Sequence, residues 1–215
     1  MKDLISIPFS DEPPLSEDFF DRGTLQVARA LLGCHLLRYL PDLQQWLRFR
    51  VVETEAYTAD DPACHAYNRK TGRAEILYGH PGTAYVYLIY GMYNCLNVVT
   101  ESHGVAGAVL FRALEPLPMV AGLDERVTVI TVKSMEAKQR TNGPGRLCRA
   151  LDIDRATFNG LPLTRQESGL YLSAGQPVAD EGVVQTTRIG ITKAVDFLWR
   201  FYIEGNPWVS VKLSR

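Results

Sequence analysis

"AYVYLIYGMYNCLNVV", residues 84–99, reads as two apolar strands folded back on each other at Gly91. Tyr85, Tyr87 and Ile89 alternate onto one face of the first strand, while Tyr90, Gly91, Met92 and Tyr93 occupy the turn. The stretch lies within twenty-five residues, between Glu75 and Glu101, that hold no Asp, Glu, Lys or Arg. Its longest unbroken apolar run, Ala84 to Tyr90, falls far short of the roughly 20 residues a membrane helix needs. A tyrosine inside a sheet is ordinarily core, and that reading suits Tyr85. Rings at a hairpin tip cannot all be buried by their own sheet. They are free to stack on a partner or wedge into one, as aromatic side chains do when proteins open nucleic acid.

Working outward, "CHLLRYL" and "WLRFRVVETEAY" form a second strand pair with a turn at Pro41-Asp42, and "AGAVLFRALEP" forms another strand. "GLYLS", "TTRIGIT" and "PWVSVKL" are shorter strand-like pieces. Helical patterning precedes the first strands, with Ser16 and Thr24 as N-caps and Gly33 ending "TLQVARALLG". "DDPACHAY" reads as a helix start with Asp61 as cap and Pro62 in the first turn, followed by a loop over about 67–82. Strands outnumber helices and little alternates strand–helix–strand. The expected fold is α+β, with a curved antiparallel or mixed sheet, flanking helices and a protruding hairpin. The 215 residues suit one domain, with residues 1–16 as an N-terminal arm.

The start, "MKDLISIPFSDEPPLS", lacks the apolar core of a signal peptide, so no export is expected. Cys34, Cys64, Cys95 and Cys148 are scattered without a C-x-x-C pair, which argues against a zinc ribbon and suits free thiols in a reducing compartment. Formal charge is 23 − 24 = −1, yet its distribution is uneven. Residues 1–60 carry a net −4, whereas residues 133–149 carry Lys133, Lys138, Arg140, Arg146 and Arg149 against Glu136, a net +4. Such a cluster is either a solvated face or a patch for phosphates.

In "LRFRVVETEAY", strict alternation places Glu53, Glu55 and Tyr57 on the face begun by Leu47, Phe49 and Val51. Carboxylates on a core face need partners or a function. Arg112 raises the same question, because alternation sets it beside Leu110 and Leu114. Paired with Glu53 or Glu55 it makes a structural ion pair, or a carboxylate–guanidinium site that holds a water for attack. His65 beside Cys64 is ordinarily structural, since adjacent residues seldom converge on one nucleophile or metal. In "TNGPGRLCRALDI", backbone N–H groups at a helix start could hold a phosphate, with Arg146 in support. No G-x-G-x-x-G, Walker loop or H-E-x-x-H occurs.

In this order, "ARALLGCHLLR", "VVETEAY", "DPACHAY", "PGTAYVYLIYGMYNCLNVVT", "VLFRALEP", "NGPGRLCRALDI" and "PWVSVKL" resemble the alkyladenine (3-methyladenine) DNA glycosylases. The resemblance covers most of the chain and implies a monofunctional enzyme acting on damaged purines in double-stranded DNA, as a monomer, with no metal or other cofactor and no membrane. It implies the cytoplasm and its nucleoid for a bacterial member and the nucleus for a eukaryotic one. It implies Glu55 as the base that activates water and Arg112 as its partner in positioning that water. Tyr57, His65 and Tyr87 are then walls around an extruded base, and Asn97 a gatekeeper against unmodified guanine. Tyr90 fills the vacated hole, while Met92 and Arg146 contact DNA phosphates. No lysine is expected in the site, so a covalent Schiff-base route finds no support. Two departures stand out: "KTGRAEILY" replaces a Thr-Pro-Arg-Asn stretch of many relatives, and residues 164–190 match loosely. Two other readings are a catalytically silent nucleic-acid-binding domain and a carbohydrate hydrolase using Glu53 and Glu55 as an acid/base pair.

Overall fold

The computed structural model describes residues 7–117 and 141–211. Among these residues eight strands form one sheet: β1 (His35–Leu40), β2 (Gln45–Thr58), β3 (Ala84–Ile89), β4 (Tyr93–Val99), β5 (Gly107–Leu117), β6 (Leu170–Ser173), β7 (Val183–Thr186) and β8 (Arg200–Ile203). Their order is β3-β4-β5-β2-β1-β6, with β8 also on β2 and β7 on β8. Every pairing is antiparallel, and the sheet curls into a half-barrel. β2 is the spine. β5 follows one of its edges; β1 takes the first half of the other edge and β8 the second.

Among the described residues four short helices flank the sheet: α1 (Glu17–Phe20), α2 (Thr24–Ala30), α3 (Pro144–Ala150) and α4 (Arg155–Phe158). α2 lays Val27 and Ala28 onto β2 and β5, and with Leu31 and Leu32 they close the main core over Phe49, Val51, Val52, Phe111 and Leu114. Each such Leu, Val or Phe contributes about 1.5–3 kcal/mol by leaving water. A smaller cluster on the other side packs Cys64, Ala66, Ala74, Leu77 and Val99 against Tyr85 and Ala108. Residues 7–16 run beside β6, where the Leu15 amide donates to Leu172 O at 2.8 Å and Pro14 bridges Ser173.

Strict alternation fails in the middle of β2. The β2–β5 register shifts between Val51 and Glu53, where Val52 is the extra residue, and again before Thr54, where Arg112 is the extra residue on β5. Val51 and Val52 therefore both enter the main core. Beyond the irregularity Thr54 and Ala56 face the helices, and the Thr54 hydroxyl donates to Ala28 O in α2. Glu53, Glu55 and Tyr57 are turned to the opposite side, not onto the face of Leu47, Phe49 and Val51. The same shift separates Arg112 from Leu114, which joins the main core with Ala113. The bulge converts a core face into a site face without interrupting the strand.

Other expectations need correcting. "DDPACHAY" forms successive turns rather than a helix, with the Asp61 carboxylate accepting from the Ala63 amide at 2.9 Å. The loop after it contains a 3-10 stretch, Gly72–Tyr78. Thr24 is the first residue of α2, not its cap, and Gly23 precedes it. Residues 187–192 of "TTRIGIT" and residues 207–211 of "PWVSVKL" hold no strand, whereas β8 was not foreseen. Lys133, Lys138 and Arg140 of the basic cluster lie outside the described residues. No helix among the described residues is long and apolar enough to cross a membrane.

The hairpin matches its reading. β3 and β4 pair from Ala84↔Val98 to Ile89↔Tyr93, and the Met92 amide donates to Ile89 O at 3.2 Å to close the turn. Three residues separate Ile89 from Tyr93, and the first two of them, Tyr90 (φ 53°) and Gly91 (φ 69°), have left-handed backbones. Glycine adopts that conformation freely; tyrosine does so against a steric cost.

Candidate active site

A cleft of about 1050 Å³ opens on the side of the sheet that the bulge exposes. β5 contributes Leu110 and Arg112 to its lining, β4 Cys95 and Asn97, β3 Tyr85 and Tyr87, the turns after β2 His65, and the loop before β8 residues 189–193. Tyr57 from β2 completes one wall.

Glu53 and Glu55 are both fully buried, and their surroundings differ. One Glu53 oxygen accepts from Arg112 Nε at 3.2 Å, Arg200 Nε at 2.7 Å and the Ser210 hydroxyl at 2.9 Å. Its other oxygen takes the Ser210 amide at 2.6 Å. Glu53 is a saturated structural anion. Glu55 lies directly behind the lining. Its Oε1 faces the Ile189 amide at 2.8 Å and Arg112 Nη1 at 3.2 Å, and its Oε2 accepts the Tyr57 hydroxyl at 2.7 Å. Arg112 thus bridges the two carboxylates. Burial works against its charge, but Glu55 and Glu53 outweigh burial and hold its pKa above the usual value. Burial first, then the charge of Glu55, pushes the Tyr57 phenol well above its ordinary pKa, so it remains a donor.

The aromatic walls interlock. The His65 ring meets Tyr87 edge-on at 4.7 Å, and its Nδ1 shares a 2.7 Å hydrogen bond with the Tyr85 hydroxyl. Burial, followed by the nearby charges of Arg73 and Arg69, lowers the His65 pKa, which keeps the ring neutral near pH 7. Burial likewise raises the phenols of Tyr85 and Tyr87 and the Cys95 thiol. The rings and the thiol of the lining therefore add no charge beside Glu55, and the cations of that lining are Arg69, Arg73, Arg112 and Lys193. Asn97 is 3% exposed, and its amide nitrogen donates to Tyr85 O at 3.0 Å and Cys95 O at 3.4 Å. Its nitrogen thus serves the sheet while the residue lines the cleft.

Tyr90 and Met92 stand 79% and 70% exposed at the hairpin tip, so neither belongs to the buried set. Arg146 is exposed on α3, where Nη1 donates to Asn142 Oδ1 at 3.0 Å. The start of α3 abuts the hairpin: a Cβ on Gly145 would lie 3.0 Å from that of Tyr93. Six of the nine site residues read from the sequence line the cleft, Tyr90 among them; Glu55 stands directly behind the lining, and Met92 and Arg146 do not line it, although their neighbours Gly91 and Gly145 do.

Sequence reasoning missed the far wall. Buried Arg188 forks onto buried Asp61, and the next residue supplies the Ile189 amide to Glu55. A backbone donor leaves no mark in the side-chain pattern. Arg188 amid the apolar residues of "TTRIGIT" was the available signal, of the same kind that drew attention to Arg112. Lys193 also lines the cleft, against the expectation of a lysine-free site, although it is exposed where Glu55 and Arg112 are buried. Among the described residues no group of three or more His, Cys, Asp or Glu side chains could hold a metal ion.

A family model described as "Methylpurine-DNA glycosylase (MPG)" matches residues 18–207. A protein of Synechococcus sp. (strain JA-3-3Ab) is 48% identical over 191 residues, covering 86% of this chain and 92% of the relative. One from Carboxydothermus hydrogenoformans is 47% identical over 199 residues, covering 92% and 99%. One from Herpetosiphon aurantiacus is 44% identical over 199 residues, covering 91% and 88%. All three bear the name "Putative 3-methyladenine DNA glycosylase". With most of its length matched by the family model and by these relatives, the chain belongs to the methylpurine-DNA glycosylase family.

Proposed function

We propose that this protein is a monofunctional DNA glycosylase that excises alkylated or deaminated purines from duplex DNA, acting as a monomer wherever the genome resides. The observation that carries the reading is Glu55, buried behind the lining of an aromatic cleft and joined to Arg112 at 3.2 Å, beneath a hairpin whose tip presents an exposed Tyr90. A base must leave the stack before its sugar bond can be reached, at a cost of about a few kcal/mol. Tyr90 offsets part of that cost by filling the gap, with Met92 and Arg146 holding the backbone on either side.

The extruded purine lies among Tyr57, His65 and Tyr87, whose faces attract an electron-poor alkylated ring. Arg112 and Glu55 hold a water. Glu55 takes its proton as the oxygen bonds to C1′ of the sugar, and the electron pair of the broken N-glycosidic bond leaves with the purine. An alkylated, cationic purine departs neutral, whereas a deaminated one departs as the anion and takes a proton from solvent. Asn97 sets which purines fit. Glu53 is a poor candidate for a second acid or base, because Arg112, Arg200 and Ser210 occupy its oxygens. That weighs against the carbohydrate-hydrolase reading. A buried carboxylate paired with Arg112 at the cleft weighs against a silent binding domain.

The test is a set of duplexes each carrying one defined lesion, treated with alkali to cleave abasic sites. Wild type should release alkylated purine. Glu55→Gln should bind the same duplex yet release base about 10²–10⁴-fold more slowly. Excision by Glu55→Gln near the wild-type rate would refute the assignment.

A further inference from the structure

Residues 187–193 run beside Glu55 without sheet pairing, and no backbone-to-backbone hydrogen bond anchors them among the described residues. Yet the Ile189 amide is aimed at Glu55 Oε1 at 2.8 Å. Its neighbour Arg188 supplies the missing anchorage. Both guanidinium Nη atoms grip the Asp61 carboxylate, one at 2.9 Å, and Nη1 also donates to Ala56 O at 2.9 Å. Ala56 lies between Glu55 and Tyr57 on β2. The guanidinium carbon sits 4.6 Å from the centre of the Tyr57 ring and 5.1 Å from that of Trp199. Nε is buried without an acceptor among the described residues, so the side chain is oriented for its fork rather than for full satisfaction.

We infer that Arg188, clamped by Asp61, is a positioning residue for the glycosylase reaction: it fixes the Ile189 amide on one oxygen of Glu55 and the Tyr57 phenol on the other. The inference rests on the glycosylase reading of the cleft. Arg188 touches neither water nor substrate. Its effect is to prevent Glu55 from rotating toward other donors when the purine enters. The fork is what matters. A lysine presents a point charge and could satisfy Asp61, but it cannot also span Ala56 O and stack on Tyr57.

Two variants of the full chain test this against wild type, using a duplex with one alkylated purine. Arg188→Lys keeps a positive charge beside Asp61. Arg188→Met combined with Asp61→Leu removes both charges together, which avoids the penalty of one buried, uncompensated ion. Single-turnover excision, affinity for the lesion duplex and thermal midpoint are measured for each, the first two well below the midpoint. Misplacement of a reacting group by about 1 Å costs on the order of 10²-fold, so excision should fall roughly 10–100-fold with affinity unchanged. Excision at the wild-type rate in either variant overturns the proposal. So does a parallel loss of excision and affinity that tracks the thermal midpoint, because that marks a residue serving the fold alone. Failure of wild type to release any base would sink the glycosylase reading itself, and the role of Arg188 with it.

Discussion

At the hairpin tip Tyr90 is 79% exposed, and on the cleft floor Glu55 is 0% exposed, yet three strand pairings along β3-β4-β5-β2 connect the two. The floor is over-determined. Arg112 is shared by two carboxylates, and each Glu55 oxygen meets at least one donor. The tip makes few contacts of its own, and its central tyrosine sits on a left-handed backbone. A reacting group must be held before the substrate arrives, whereas a wedge gains its contacts only once the duplex has opened. On the proposed reading, the sheet between them is what keeps the wedge and the water in register.

That contrast breaks first at the floor. Glu53→Gln leaves Arg200 and one side of Arg112 without their carboxylate and should cost about 3–5 kcal/mol of stability, read from the urea midpoint. Glu55→Gln should instead lower excision by about 10²–10⁴-fold while shifting that midpoint far less. Exchange of these two signatures would mean that the catalytic and structural carboxylates have been assigned the wrong way round. At the tip, Tyr90→Ala forfeits stacking worth about 1–3 kcal/mol and should slow excision roughly tenfold for a paired lesion. The loss should shrink when the lesion faces a mismatch, whose unstacking costs less; equal losses would count against the wedge.

Between tip and floor the effects become smaller. Asn97→Ser should raise release of guanine relative to hypoxanthine by about tenfold or less, in single-turnover rates on matched duplexes. A fall in both rates at constant ratio would confine Asn97 to holding the carbonyls of Tyr85 and Cys95. Arg146→Ala should weaken lesion and undamaged duplex alike and reduce the slope of log affinity against log salt by about 1. An unchanged slope would make Arg146 a solvated residue. The smallest effect belongs to His65, whose folded pKa lies below the ordinary 6.5 through burial and then Arg73 and Arg69. The unfolded chain takes up that proton first, so the full stability present above pH 6.5 declines as pH falls through the folded pKa. Replacing His65 with Gln should flatten urea midpoints measured across that range.

What could be read without coordinates follows from how regular each segment is. The hairpin obeys period two around a glycine turn, so Tyr85 and Tyr87 fell where alternation put them, and Tyr90 and Met92 at the turn. Glu53, Glu55 and Arg112 were singled out by chemistry, as charges in apolar strands, although the face assigned to them was wrong. An inserted Val52 leaves no periodic trace, because the residues on either side are also β-branched or acidic strand formers. Arg188, Ile189 and Ser210 lie in pieces read only as short strands, whose backbone donors leave no side-chain pattern, and β8 is too short to stand out. Their placement comes from tertiary pairing with β2 and with the turn at Asp61.

The left-handed backbone at Tyr90 also bears on how this sequence responds to selection. A non-glycine residue held there costs on the order of 1–3 kcal/mol, and asparagine or glycine would relieve much of it. Screening for heat resistance alone would favour Tyr90→Asn or Tyr90→Gly, since such substitutions at compatible turns are among the easiest gains to find. On the proposed reading, the same winners would lose the ring that enters the duplex. Directed evolution of a hardier variant would therefore drift toward inactive chains unless each round also scored base release, and lineages that keep the tyrosine would have to gain their robustness elsewhere.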